Sequence, residues 1–416
     1  MTPPGLAELT RVFTRIGLMS FGGPAAQIAV MHKELVDERP WLSEDQFLRA
    51  LSFCMLLPGP EAMQLCTYSG WRLRGVIGGL IAGLLFVLPG AAVMFALALA
   101  YAVWGGIPAI EALFLGIKAT VVVVVIQALL KLGRKTLKRP LHWLIALAAF
   151  TALYLFGLPF PLVVITAALF GALRASGHAP RAPRLDRPAG NTAATIMTWG
   201  TLWVAPIALA YLLGADFLVD IGLFFSKLAV VSFGGAYAVL AYMAQAAVET
   251  EGWISAGQMV DGLGLAETTP GPLILVTQFV GFMAGYNLAG VGLALAAGFM
   301  TLWATFVPCF LWIFTAAPHV EWLTNQPRLD GALRAITAAI VGVIANLMLW
   351  FAITVFFSQT RPIWEGLPGL RPVLSSVDLT ALSLCALSAL LLTRLSLPLT
   401  LLLMALAGLG SNLLFG

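Results

Sequence analysis

The chain has 416 residues, 60% of them hydrophobic and only 10% charged, with a net charge of +4. That balance excludes a water-soluble fold, in which about a quarter of residues are charged, and so small a net charge gives no footing for nucleic acid. Apolar runs long enough to cross about 30 Å of hydrocarbon recur along the chain, too long and continuous for barrel strands, so the sequence predicts an all-α, polytopic membrane protein in the lipid bilayer.

From the N-terminus, residues 1–17 carry Glu8, Arg11 and Arg15 without a compact apolar core, which argues against a cleaved signal peptide. A helix-like stretch is then broken by Phe21, Gly22 and Gly23, with Pro24 following. A second stretch is broken by Pro58, Gly59 and Pro60, with Glu61 and Gln64 just after. Apolar runs follow at 76–104 and 107–130, then a segment KLGRKTLKR at 131–139 with five basic residues and no acid, which should face the cytoplasm. Two short apolar runs at 141–156 and 160–173 lead to a polar, Pro- and Arg-rich linker at 175–193, expected on the cytoplasmic side. A further run at 195–213 opens the second half, whose own apolar runs are 291–314, 331–357 and 379–392.

The halves are related. At a shift of 212, residues 13–60 match 225–272 without gaps, and 16 of the 48 positions are identical, among them Ser20, Phe21, Gly22, Gly23, Trp41, Ser43, Gln46, Pro58, Gly59 and Pro60. Their counterparts include Phe233, Gly234, Gly235, Pro270, Gly271 and Pro272. Shared apolar composition produces scattered Leu and Ala matches, not two multi-residue motifs in one register. The sequence is therefore organised as an N-terminal repeat within 1–174 (core 8–130, plus two extra spans), the linker 175–193, and a C-terminal repeat within 194–416 (core 220–355, plus flanking spans). Three runs between the repeats make an odd connector, which turns the second repeat upside down if both repeats cross equally often, as in many secondary transporters.

Gly and Pro punctuate helices, so each motif either ends one half-helix and begins another within the membrane, as a broken or re-entrant helix, or merely kinks a span. A half-helix N-terminus with unpaired N–H groups suits an anion. Basic residues related by the repeat, Arg15 with Lys227 and Lys118 with Arg334, are candidates to complete such a site; the competing reading is snorkelling to the interface. Glu61 and Glu267 are the candidate coupling carboxylates, but Glu61 at a first helical position also simply offsets the dipole, and Glu267 equally suits a cap of the next helix. Gln64 and Gln278 either contact substrate or bond a neighbouring helix. Trp41 and Trp253 read as interface anchors. His32, His142, His178 and His319 lack metal-ligand spacing, the four cysteines lack disulfide or metal spacing, and nucleotide and catalytic motifs are missing, so no metal, cofactor or enzymatic activity is expected.

The runs FGGP at 21–24, LLPGPEAMQLCTYSGWRLRG at 56–75, SFGGAYAVL at 232–240 and AETTPGPLILVTQFVG at 266–281 resemble the chromate ion transporter family in its long, two-domain form. The resemblance covers both halves, about residues 8–130 and 220–355. It implies an inner-membrane transporter that exports chromate and confers resistance, with sulfate a chemically similar anion and oxyanion uptake the rival direction. It also implies a substrate role for Phe21, Gly22, Gly23, Pro24, Pro58, Gly59, Pro60, Glu61, Gln64, Phe233, Gly234, Gly235, Pro270, Gly271 and Pro272, with Glu267 carried over beside them. Ala236 stands where a second Pro would complete the pattern. Assembly into a homo-oligomer is left open.

Overall fold

The computed structural model describes residues 4–175, 192–233, 236–320, 323, 326–363 and 369–415. Gly234, Gly235 and most of the polar linker lie outside the described residues. Sixteen α-helices account for nearly all of the rest, joined by short turns and one small antiparallel pair of strands, β1 (Thr360–Pro362) and β2 (Leu370–Pro372). Five of these helices are long and apolar enough to cross a membrane. The all-α, polytopic expectation from composition therefore holds.

The helices form two compact units, neither of which coincides with a sequence half. The first gathers residues 1–97, 174–239 and 269–330; the second gathers 98–173, 240–268 and 331–416. Unit 1 contains α1 (Leu6–Met19), α2 (Gly23–His32), α3 (Glu44–Cys54), most of α4 (Glu61–Trp104), α8 (Thr192–Leu212), α9 (Asp216–Val231), α12 (Val276–Ala289) and α13 (Val291–Ala316). Its interior is filled by fully buried aromatic and aliphatic side chains such as Phe13, Ile16, Phe53, Phe86, Phe225, Phe279 and Phe282. Unit 2 contains α5 (Pro108–Thr136), α6 (Pro140–Tyr154), α7 (Phe160–Arg174, which ends at the boundary), most of α10 (Ala236–Ala244), α11 (Ala256–Thr268), most of α14 (Pro327–Phe356), α15 (Leu379–Leu391) and α16 (Leu397–Phe415). Its helices approach closely at small residues: a Cβ on Gly116 would strike the Met404 carbonyl and one on Gly342 the Ala146 carbonyl.

The duplication is visible bond for bond. Both halves carry a five- or six-residue π-helical turn, Lys33–Asp37 and Gln245–Thr250, at matching places. The indole-bearing residues that follow close those turns alike, Trp41 N–H donating to Leu35 O at 3.1 Å and Trp253 N–H to Ala247 O at 2.9 Å. Each next helix then starts with a reciprocal capping box, Ser43 with Gln46 and Ser255 with Gln258.

A second shared device is a helical hairpin. In α4 the backbone leaves the helix at Arg74 and at Gly75 (φ 65°, ψ −154°), and Gly290 (φ 78°, ψ −162°) does the same between α12 and α13. Gly70 faces Gly78 so closely that a Cβ on either would meet the other's carbonyl, which shows that the arms fold back on each other. The short arms, residues 61–73 and α12, are about 20 Å long, less than the hydrocarbon thickness.

The sequence reading of residues 379–392 as a membrane-length run needs correction. Asp378 caps α15, accepting from Ala381 N–H at 2.9 Å, and a turn through Arg394 ends it after 13 residues, about 20 Å. The two runs between the repeats are likewise short, α6 and α7 having 15 residues each.

Candidate functional site

Both helix breaks are present. After α1 the chain leaves the helix at Ser20 and re-enters at Gly23, with Gly22 at φ 80° as the N-cap of α2 and Pro24 in its first turn, where a missing N–H costs nothing. After α3 the chain turns through Pro58, Gly59 and Pro60, and α4 begins at Glu61, so this carboxylate stands at a first helical position as the sequence indicated. In the second half α9 ends at Val231, and the Phe233 N–H bonds Val231 O at 2.9 Å as the Phe21 N–H bonds Met19 O at 3.0 Å. Pro270, Gly271 and Pro272 are buried and lead through a short 3₁₀ turn, Leu273–Leu275, into α12.

Within unit 1 the breaks of the two repeats meet. The Gly59 N–H donates to Ser232 O at 3.0 Å, and the Gly271 N–H donates to Ser20 O at 2.8 Å. Gly59 and Gly271 are repeat counterparts, as are Ser20 and Ser232, so one contact is made twice in exchanged roles. Positive φ at Gly59 (123°) and Gly271 (86°) turns each amide toward its acceptor. A Cβ at Gly90 would run into the Pro270 carbonyl, so α4 passes directly against the second Pro-Gly-Pro segment.

Three buried glutamines surround this crossing. Gln64 donates to Pro58 O at 2.6 Å, Gln278 to Ala91 O at 2.9 Å, and Gln27 reaches across to Gly271 O at 2.7 Å. Their amide oxygens have no hydrogen-bond partner among the described residues. The Cys309 thiol lies beside Gly59, 3.0 Å from where a Cβ would stand. The sequence reading missed Gln27 and Cys309. Gln27 has Val239 as its repeat counterpart and sits in a helix without a polar stripe, so only the fold reveals its reach over 244 residues.

The charged candidates behave differently from the breaks. In unit 1 the Arg15 guanidinium is 3.2 Å from Glu34 and 4.0 Å from Glu38, with Arg39 bridging both acids, so it belongs to an ion-pair network and not to the crossing. Lys227 is exposed on α9. In unit 2 Lys118 pairs with Asp261 at 3.2 Å, and Arg334 is exposed on α14. Glu267 is buried in the last turn of α11 and not at the start of the next helix, which corrects the capping alternative and puts a carboxylate at the unfavourable end of a helix dipole. Unit 2 also holds a pocket of about 320 Å³ in which Glu249 is the one charged lining residue among the described residues, the wrong sign for an anion.

A sequence profile described as "Chromate transporter" matches residues 7–172 and 219–410, most of the chain and both halves. The chain belongs to the chromate transporter family. It is similar to the chromate transport protein of Pseudomonas aeruginosa, 33% identical over 82% of this chain and 80% of that protein. It is also similar to a probable chromate transport protein of Synechococcus elongatus (31%, over 83% and 84%) and to the chromate transport protein of Cupriavidus metallidurans (29%, over 83% and 82%). No solved structure matches. This chromate transporter family member is thus a multi-pass membrane protein.

Proposed function

We propose that the protein exports chromate from the cytoplasm across the inner membrane, giving chromate resistance, by alternating access at the crossing of the two pairs of breaks. The observation that carries this reading is the exchanged pair of hydrogen bonds, Gly59 to Ser232 and Gly271 to Ser20. It supports a site shared by both repeats, with the repeats inverted and the short arms after Pro60 and Pro272 entering the membrane without crossing it. Parity favours the inversion where α6 and α7 both cross or both turn back, since α8 then leaves the connector odd.

The donors for a tetrahedral oxyanion follow from what is already committed. The Gly59 and Gly271 amides are used in the crossing, so the anion is held by first-turn N–H groups of α2 and α4 and by the second N–H of the Gln27 and Gln64 side-chain amides, whose first N–H already donates to Gly271 O and Pro58 O. Phe21, Gly22, Gly23, Pro24, Pro58, Pro60, Phe233, Pro270 and Pro272 shape the breaks around it.

Export needs no further energy source. A dianion leaving an inside-negative cell moves two charges downhill, about 4.6 kcal/mol per 100 mV, equivalent to a gradient somewhat above a thousandfold. The test is chromate and sulfate flux in vesicles of known orientation under imposed potential. Outward chromate movement that grows with inside-negative potential is expected. Potential-independent outward flux would mean that chromate leaves by electroneutral exchange, and inward sulfate movement alone would replace this reading with oxyanion uptake.

A further inference from the structure

Unit 2 holds a buried ion pair that the crossing does not use. Asp261, in the middle of α11, keeps only 6% of its side chain exposed. Its Oδ2 accepts from the Lys118 ammonium at 3.2 Å and from the Tyr101 hydroxyl at 2.8 Å, while its buried Oδ1 has no hydrogen-bond partner among the described residues. The surroundings on α5 are apolar, Ile117 and Val121 packing against Gly264 one turn along α11. Lys118 is the more open partner at 24% exposure, and Gly257, one turn before Asp261, leaves the space beside the ammonium clear, its missing Cβ lying 3.8 Å from Nζ. Glu111, two turns before Lys118 on α5, is the other charge acting on Asp261; α16, also packed against α11, has no titratable side chain.

A carboxylate in such a place is stable as an ion only while its cation stays. If the ammonium turns to an external anion, Asp261 is left as an uncompensated buried charge, and taking up a proton is the least costly response. The bare Oδ1 is the atom that would receive it.

We propose that Lys118, Asp261 and Tyr101 form a proton-linked oxyanion site, in which Lys118 leaves Asp261 for a tetrahedral oxyanion as Asp261 binds one proton on Oδ1 and Tyr101 stays on Oδ2. The inference rests on the reading of the chain as an oxyanion transporter. The resting site is neutral and the loaded one carries one net negative charge, so a turnover carrying both species moves one charge where bare chromate moves two. The repeat counterpart of Asp261 is Arg49, paired on an exposed surface with Asp45, so the carboxylate of this device, which joins Tyr101 and Lys118 of the first repeat to Asp261 of the second, is not duplicated.

The test is calorimetric binding of chromate, and separately of sulfate, to the full-length protein in lipid nanodiscs, in two buffers of different ionisation enthalpy between pH 6.5 and 8. About one proton taken up per bound anion is expected, with affinity falling by up to about tenfold per pH unit on the alkaline side. Asp261→Asn should abolish the uptake and flatten the pH dependence. Lys118→Ala should lose at least tenfold in affinity and Lys118→Arg should keep it. If the Asp261 variant is not monodisperse, Tyr101→Phe serves instead: with one donor to the carboxylate removed, the pH midpoint should move upward while the acid-side affinity holds. Tight binding without proton uptake, or equal uptake in Asp261→Asn, overturns the proton link and leaves the transport reading standing. No binding of either anion at any pH overturns both.

Discussion

At Gly59 and Gly271 a single backbone angle decides whether two repeats can join, because a φ of 123° or 86° costs an L side chain about 1–3 kcal/mol. Gly59→Ala adds a Cβ that meets the Gln64 amide at 2.7 Å and Cys309 at 3.0 Å. Cells carrying it should accumulate as much chromate as cells without the protein, at unchanged membrane levels by immunoblot; retained efflux would mean that the crossing is dispensable. Gly23 is a different case, since nothing lies within 4 Å of its missing Cβ and only its φ of 79° resists substitution. His32 offers a test of stability. Its Nε2 is 2.6 Å from Glu44 and its Nδ1 3.3 Å from Asp37, and the Glu44 hydrogen bond raises its pKa above the usual 6.5. A raised folded-state pKa gives stability that is complete below pH 6.5 and lost as pH rises through the raised value. The thermal midpoint should therefore fall from pH 6 to pH 8 in the parent and much less in Glu44→Gln. Much of this scale was legible beforehand: Glu61 at a helix start follows from the proline before it. Asp261 escaped because its partners are 143 and 160 residues away on other helices, a distance that no local spacing reports.

Helices were legible where apolarity and length coincide, and misread where they separate. Residues 379–392 are apolar enough to span, but the Asp378 cap and the turn at Arg394 cut α15 to 13 residues. Composition measures the solvent a segment prefers, whereas caps and turns set how far it runs. The hairpins at Gly75 and Gly290 show the same division. Nothing lies within 4 Å of a Cβ at either residue, yet φ near 65–78° with ψ beyond −150° is a region essentially confined to glycine. Gly75→Ala and Gly290→Ala should each destabilise by about 1–3 kcal/mol without any steric clash, read as a lower midpoint in denaturant. Gly342→Val, which drives a side chain into the Ala146 carbonyl, should cost at least as much through overpacking. Parent-like stability in the hairpin variants would show that the arms reverse by another route.

For the whole molecule, the 212-residue shift announced two equivalent halves, and the bonding pattern keeps that equivalence in unit 1. The compact units nevertheless cut across the halves, because they follow spatial packing while the repeat follows descent. Cutting the chain within residues 176–191 should leave neither half able to transport alone, and co-expression of the two pieces should restore chromate efflux; activity from one piece would refute a shared site. The exchanged bonds between Ser20, Gly271, Ser232 and Gly59 also bear on ancestry. Residue i meeting j while j meets i is the mark of an isologous interface between identical subunits. An ancestor with a single repeat would have made both bonds across the two-fold axis of a homodimer. Fusion would then have placed that dimer interface inside one polypeptide, leaving each copy free to diverge, as Arg49 and Asp261 differ.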